Sequence, residues 1–77
     1  MSNTIDIIID VLKTKFKTTG ELTADSNINE IGIDSLDVIN FLYTLEEHTG
    51  VKILDEDIDA LGIEKLIQFA EYIDKRR

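Results

Sequence analysis

Seventy-seven residues leave room for one domain with a thin core, because a chain of this size buries only about 60 to 65% of its unfolded surface. Sixteen acidic against eight basic side chains give a formal charge of −8, and there is neither cysteine nor proline. Those counts exclude a disulfide framework and a thiolate metal site, disfavour binding to nucleic-acid phosphates or anionic lipid, and favour partners with basic patches. The longest apolar run is Ile7-Ile8-Ile9. Neither a membrane span nor a secretory signal is therefore expected, and a cytoplasmic location is.

Four glycines, Gly20, Gly32, Gly50 and Gly62, are the strongest punctuation, and the apolar residues between them follow helical spacing. An all-α single domain over residues 1–77 is predicted: a four-helix bundle with a short third helix and a long loop between the first and second helices. The first helix runs from about Thr4 to about Lys17, with Ile5, Ile8, Ile9, Leu12 and Phe16 on one face and Ser2, Asn3 or Thr4 as its cap. Thr18-Thr19-Gly20 ends it. From Glu21 to Ile33 the chain is polar apart from Leu22, Ile28, Ile31 and Ile33, so those residues must pin this connection or leave it mobile.

The second helix begins at Asp34 or Ser35 and ends before Gly50, which can take the left-handed conformation that closes a helix. Asp34 as N-cap, with Asp37 three residues on, resembles a capping box. A short helix is predicted over Asp55 to Leu61, closed by Gly62. The last runs from about Ile63 to about Lys75 and buries Ile63, Leu66, Ile67, Ala70 and Ile73, with Lys75, Arg76 and Arg77 at the negative end of its dipole.

A serine between two aspartates at the mouth of the second helix can be a nucleophile, an ordinary first-turn residue or a point of attachment. A nucleophile needs a base within hydrogen-bond reach, and the one imidazole, His48, lies thirteen residues along the same helix, roughly 20 Å away at about 1.5 Å per residue. Nor is there a Gly-x-Ser-x-Gly elbow. No catalytic role and no enzyme activity is assigned. The run Asp55-Glu56-Asp57-Ile58-Asp59 imitates the start of a calcium loop but places Ala60 and Leu66 where glycine and glutamate are required. No metal site is predicted.

On a helical wheel Val38, Phe41, Leu42 and Leu45 gather on one side and form the core face. Leu36, Ile39 and Tyr43 make a second apolar stripe, flanked by Glu46, Glu47 and Asn40. Such a stripe is either covered by the long loop or a docking surface for a protein with an apolar groove and a basic rim. Unpaired N–H groups at the head of the helix would stabilise a phosphate attached to Ser35, with Asp34 and Asp37 partly opposing it.

Gly32-Ile33-Asp34-Ser35-Leu36-Asp37 resembles the attachment motif of acyl carrier proteins, G-x-D-S-L-D, and the likeness extends through Ile28, Ile31, Leu45-Glu46-Glu47 and Tyr72-Ile73 over nearly the whole chain. The resemblance implies that Ser35 is esterified with 4'-phosphopantetheine by a phosphopantetheinyl transferase using coenzyme A, and that the arm's thiol carries acyl groups as thioesters. It also implies that Asp34, Leu36, Asp37, Ile39, Tyr43, Glu46 and Glu47 contact the transferase and the acyl-transferring and acyl-modifying enzymes of fatty-acid, polyketide or specialised lipid biosynthesis. Core residues such as Phe41, Leu42 and Leu45 would line the space where a bound chain shelters, and the carrier is expected to be a monomer. Asn40 stands where many fatty-acid carriers have glutamate, Leu54 replaces a frequent proline, Tyr43 replaces a flexible residue, and the link around Gly62 is about two residues longer than usual. These departures keep an aminoacyl or peptidyl carrier open as an alternative, beside an acidic helical adaptor without a prosthetic group.

Overall fold

In the computed structural model, which describes residues 3–16, 18 and 20–77, four helices follow one another: α1 Asn3–Lys15, α2 Ser35–Thr49, α3 Asp55–Leu61 and α4 Leu66–Arg76. No strand occurs among the described residues, and the predicted all-α bundle with its short third helix and long first loop is the architecture found. α1 is the central element and packs against both α2 and α4.

That central position explains why the buried face of α1 differs from the expected one. Thr4, Ile8, Val11 and Leu12 are its buried residues, whereas Ile5, Ile9 and Phe16 are half-buried at the margins. A helix clasped from two sides buries a stripe centred between its neighbours, and Val11 and Thr4 fall there. Thr4 is therefore no exposed cap. Its hydroxyl donates to Asp74 Oδ1 at 2.5 Å and accepts from Arg77 Nη1 at 3.3 Å, so a buried polar group is satisfied where the first and last helices meet. α1 ends at Lys15, with the Phe16 and Thr18 amides donating to the Leu12 carbonyl. The expected boundary at Lys17, the candidate cap Ser2 and the terminating Thr19 lie outside the described residues.

The core gathers α2's Phe41, Leu42 and Leu45 with Ile8, Leu12, Leu66, Phe69 and Ile73. Phe41 is its aromatic centre: its ring lies edge-on to Phe16 at 6.1 Å between centroids and to Phe69 at 5.7 Å. Edge-to-face pairs of this separation add about 0.5 to 1.5 kcal/mol beyond the area they bury.

The long connection is pinned more thoroughly than its few apolar residues predict. Leu22 and Ile28 are buried, and Ile31 and Ile33 pack half-buried against the core. The loop backbone also ties itself to the head of α4: Ile28 N–H donates to the Glu64 carbonyl at 2.8 Å, while the Leu66 and Ile67 amides donate to Ser26 and Ala24 carbonyls at 3.0 and 2.9 Å. Those first amides of α4 have no partner within their own helix, so the loop caps them. The same pairing holds Ile63 to Lys65 non-helical, which is why α4 starts at Leu66 and not near Ile63. Ile63 is buried ahead of the helix. Phe69 and Tyr72 join the predicted Leu66, Ala70 and Ile73 in its buried face, and Ile67 is half-buried.

α3 buries none of its own residues. It is closed as the sequence predicts, by Gly62 at φ 64°, with the Ile63 amide reaching back to the Ile58 carbonyl at 2.9 Å. Its side chains meet the bundle through Ile58, half-buried against the core, and through the Tyr72 hydroxyl, which donates to Asp57 Oδ2 at 2.6 Å while the Arg76 guanidinium lies 3.6 Å over the tyrosine ring. The Asp57 carboxylate, and after it burial, hold the phenol above its ordinary value of 10.0, against opposing pulls from the Leu54 N–H and Arg76. In the unfolded chain the phenol titrates at that ordinary value, so the folded state keeps its proton longer. The resulting stabilisation is whole below pH 10.0 and is lost as pH rises from there through the raised folded value. Alkaline denaturation followed by circular dichroism is expected to show the wild type losing its advantage over Tyr72→Phe across that window.

Candidate functional site

Asp34 builds the head of α2. Its backbone is extended (φ −90°, ψ −178°), its Oδ1 accepts the Asp37 amide at 2.9 Å, and its carbonyl accepts the Val38 amide at 3.0 Å. Ahead of it Gly32 turns the loop onto the helix at φ 87°, a conformation that strains any residue with a Cβ. Replacing Asp34 with alanine removes the cap and is expected to cost about 1 kcal/mol, measured as a lowered urea midpoint at unchanged slope. A change within error would show that the cap adds nothing.

Ser35 follows as the first helical residue, and its side chain is exposed. The N–H groups of the first turn have no intrahelical partner; Asp34 takes that of Asp37, and those of Ser35 and Leu36 stand at the positive end of the helix dipole. His48 is exposed in the last turn of the same fifteen-residue helix, far out of reach of the serine. Among the described residues no cluster of three or more potential metal ligands occurs. What the serine has instead of a base is access.

The stripe below it is open. Leu36 is 72% exposed, Ile39 45% and Tyr43 61%, so the preceding loop does not cover them. Asp34 and Glu47 are exposed beside it, and Asp37 and Glu46 are half-buried. All seven residues expected to meet partners thus lie on the outward side of α2 or at its head, while Phe41, Leu42 and Leu45 turn inward.

A groove of about 520 Å³ opens from Ser35 between the first loop, α2, α3 and the head of α4. Its apolar lining comes from Ile28, Val38, Ile39, Ile58, Ile63 and Phe69, with Asn29, Asp55, Asp59 and Glu64 among its polar lining residues. This differs from the expected lining. Phe41 and Leu45 are sealed in the core, and Leu42 borders a second hollow of about 250 Å³ with Tyr43, Lys52 and Leu54. Phe69 was legible in principle, because it completes an i, i+3, i+4, i+7 pattern with Leu66, Ala70 and Ile73. Ile28, Ile58 and Ile63 reach the groove only through the tertiary fold.

Ser35 is thus an exposed hydroxyl at the head of a helix whose front is apolar and acidic and whose flank opens into a groove. The sequence profile of the family described as phosphopantetheine attachment site matches residues 5–73. Acyl carrier protein 1, chloroplastic, of Spinacia oleracea is 37% identical over 73 residues, covering 92% of this chain and 51% of the spinach protein. The acyl carrier protein homolog of Mycoplasmopsis pulmonis is 36% identical over 59 residues, covering 77% and 78%. The acyl carrier protein of Solidesulfovibrio magneticus is 33% identical over 73 residues, covering 94% and 87%. The chain belongs to the phosphopantetheine attachment family and, within it, to the acyl carrier proteins. It spans about half the length of the spinach relative and most of the two bacterial ones. No described helix is long and apolar enough to cross a membrane.

Proposed function

We propose that residues 1–77 form a single cytoplasmic, monomeric acyl carrier domain whose Ser35 hydroxyl bears 4'-phosphopantetheine, and that the domain carries acyl groups without catalysing their chemistry. The observation that carries this reading is the exposure of Ser35 at the head of α2 beside the groove. The residues fit the group. The first-turn N–H groups of Ser35 and Leu36 suit a phosphate diester, and the apolar half of the groove suits an alkyl chain. When attached, the arm supplies the thiol that this cysteine-free chain lacks, on which an acyl group is held as a thioester.

The chain's own part is to present and to be recognised. Asp34 holds the helix head in place, and Leu36, Ile39 and Tyr43 offer apolar contact to a phosphopantetheinyl transferase and to acyl-handling enzymes. Asp37, Glu46 and Glu47 steer basic rims onto that contact. Incubating the apo chain with coenzyme A, magnesium and a transferase of broad specificity is expected to add the mass of one phosphopantetheine to the intact protein. A folded chain that gains no mass would remove the proposal.

Reversing the charge of Glu46 and Glu47 together is expected to weaken transferase binding several-fold at low salt and much less at high salt, because exposed ion pairs are screened beyond about 10 Å at 0.1 M. Isothermal titration at the two salt concentrations checks it. A loss equal in both would indicate a damaged helix.

A further inference from the structure

α3 presents a contradiction in its packing. It forms one wall of the groove beside Ser35 through Asp55, Ile58 and Asp59, yet it buries no residue completely and shares no extensive face with another helix. Ile58 gives it a half-buried apolar contact, and Gly62 gives it a left-handed pivot at its far end. A helix of seven residues does not hold itself in place, since isolated helices shorter than about 12 residues are marginal in water. Its position must come from outside.

Among the described residues, the one long-range side-chain hydrogen bond that reaches it is Tyr72 to Asp57, 2.6 Å long and made to a carboxylate. The donor is well placed for that work. Tyr72 is buried in α4, so its ring is fixed by the core, and Arg76 one turn on stacks 3.6 Å over the ring and closes its outer side. The Arg76 Nη1 donates in addition to the Tyr72 carbonyl at 3.3 Å. Asp57 occupies the third position of α3, within the first turn, where a carboxylate also suits the helix dipole. This contact meets α3 between the groove's Asp55 and Ile58.

We infer that the Tyr72–Asp57 hydrogen bond, backed by Arg76, is a clasp that sets the width of the groove beside Ser35 and so decides how well a long acyl chain is sheltered relative to a short one. The inference rests on the carrier reading for its cargo and on the geometry of α3 for its mechanics. Tyr72 and Asp57 are positioning residues. Neither lines the mouth at Ser35, so arm attachment is independent of them.

The mechanics are tested on the apo chain by amide hydrogen exchange of wild type, Tyr72→Phe and Asp57→Asn. Phenylalanine keeps the ring and its stacking and removes only the hydroxyl, and loss of a hydrogen bond to a charged group is expected to speed exchange within residues 55–61 by about 10-fold or more. Asp57→Asn leaves a neutral acceptor and is expected to fall between the two. Exchange in α1 and α2 is expected to keep its wild-type rate. Acceleration spread evenly over all four helices, or none in α3, overturns the clasp.

The cargo consequence is tested on chains loaded through the transferase with acetyl or octanoyl phosphopantetheine and challenged with hydroxylamine. The wild type is expected to release octanoyl more slowly than acetyl, and Tyr72→Phe is expected to reduce that ratio several-fold while loading at an unchanged rate. An unchanged ratio with a loosened α3 overturns the shelter role. If the wild type itself takes up no arm, the carrier reading has failed and the shelter role falls with it, and the exchange measurement still decides whether the clasp holds α3.

Discussion

Replacing Ser35 with alanine is expected to abolish phosphopantetheine transfer completely while leaving the domain folded. The hydroxyl is exposed and the N-cap is Asp34, so the change falls outside both the core and the cap. A surface substitution of that kind stays within about 0.5 kcal/mol of wild-type stability. Of the three serines in the chain, Ser26 is the other one described, and its Oγ accepts the Thr23 amide at 2.9 Å in a half-buried loop turn. It is held inward where Ser35 is held out. Intact-mass measurement after transferase treatment separates the two, and a mass gain that survives in Ser35→Ala would place attachment elsewhere. An unfolded variant by circular dichroism would mean that the hydroxyl has a structural duty.

Phe41→Ala is expected to cost about 3 to 5 kcal/mol. A domain of 77 residues has in total only about 4 to 12 kcal/mol, so this one change consumes a large part of its stability and leaves a substantial unfolded fraction at elevated temperature. The size of the loss follows from position: Phe41 is fully buried and meets both Phe16 and Phe69 edge-on. Tyr43→Ala, two residues on and 61% exposed, is the matched control and is expected to cost well under 1 kcal/mol. Urea denaturation of the pair checks it. Equal losses would mean that the inner and outer sides of α2 are wrongly assigned.

The contrast between those two residues was legible in the sequence, because a helix repeats every 3.6 residues and the spacing alone puts Phe41 and Tyr43 on opposite sides. Residue type did the same for the head of α2, its Asp34 cap and its Gly50 close, and for the bounds of α3. What depended on neighbours was not legible. The face of α1 is rotated toward Thr4 and Val11 because two helices clasp it, and no periodicity within α1 states where its neighbours stand. The start of α4 is displaced to Leu66 by hydrogen bonds from a loop some forty residues earlier. The groove is lined from that loop, Val38 and Ile39 of α2, α3 and Phe69 instead of Phe41 and Leu45, because those two are buried in the core. In each case local propensity fixed the element and tertiary contact fixed its edge.

Ser26, Ala24 and Ile28 are joined to Leu66, Ile67 and Glu64 by backbone hydrogen bonds. A polypeptide still emerging from the ribosome short of residue 67 lacks the partners that hold the approach to the serine, although the serine itself was added long before. The loop that leads to the serine is therefore held only once the last helix has been made, so its shape depends on residues far downstream of it.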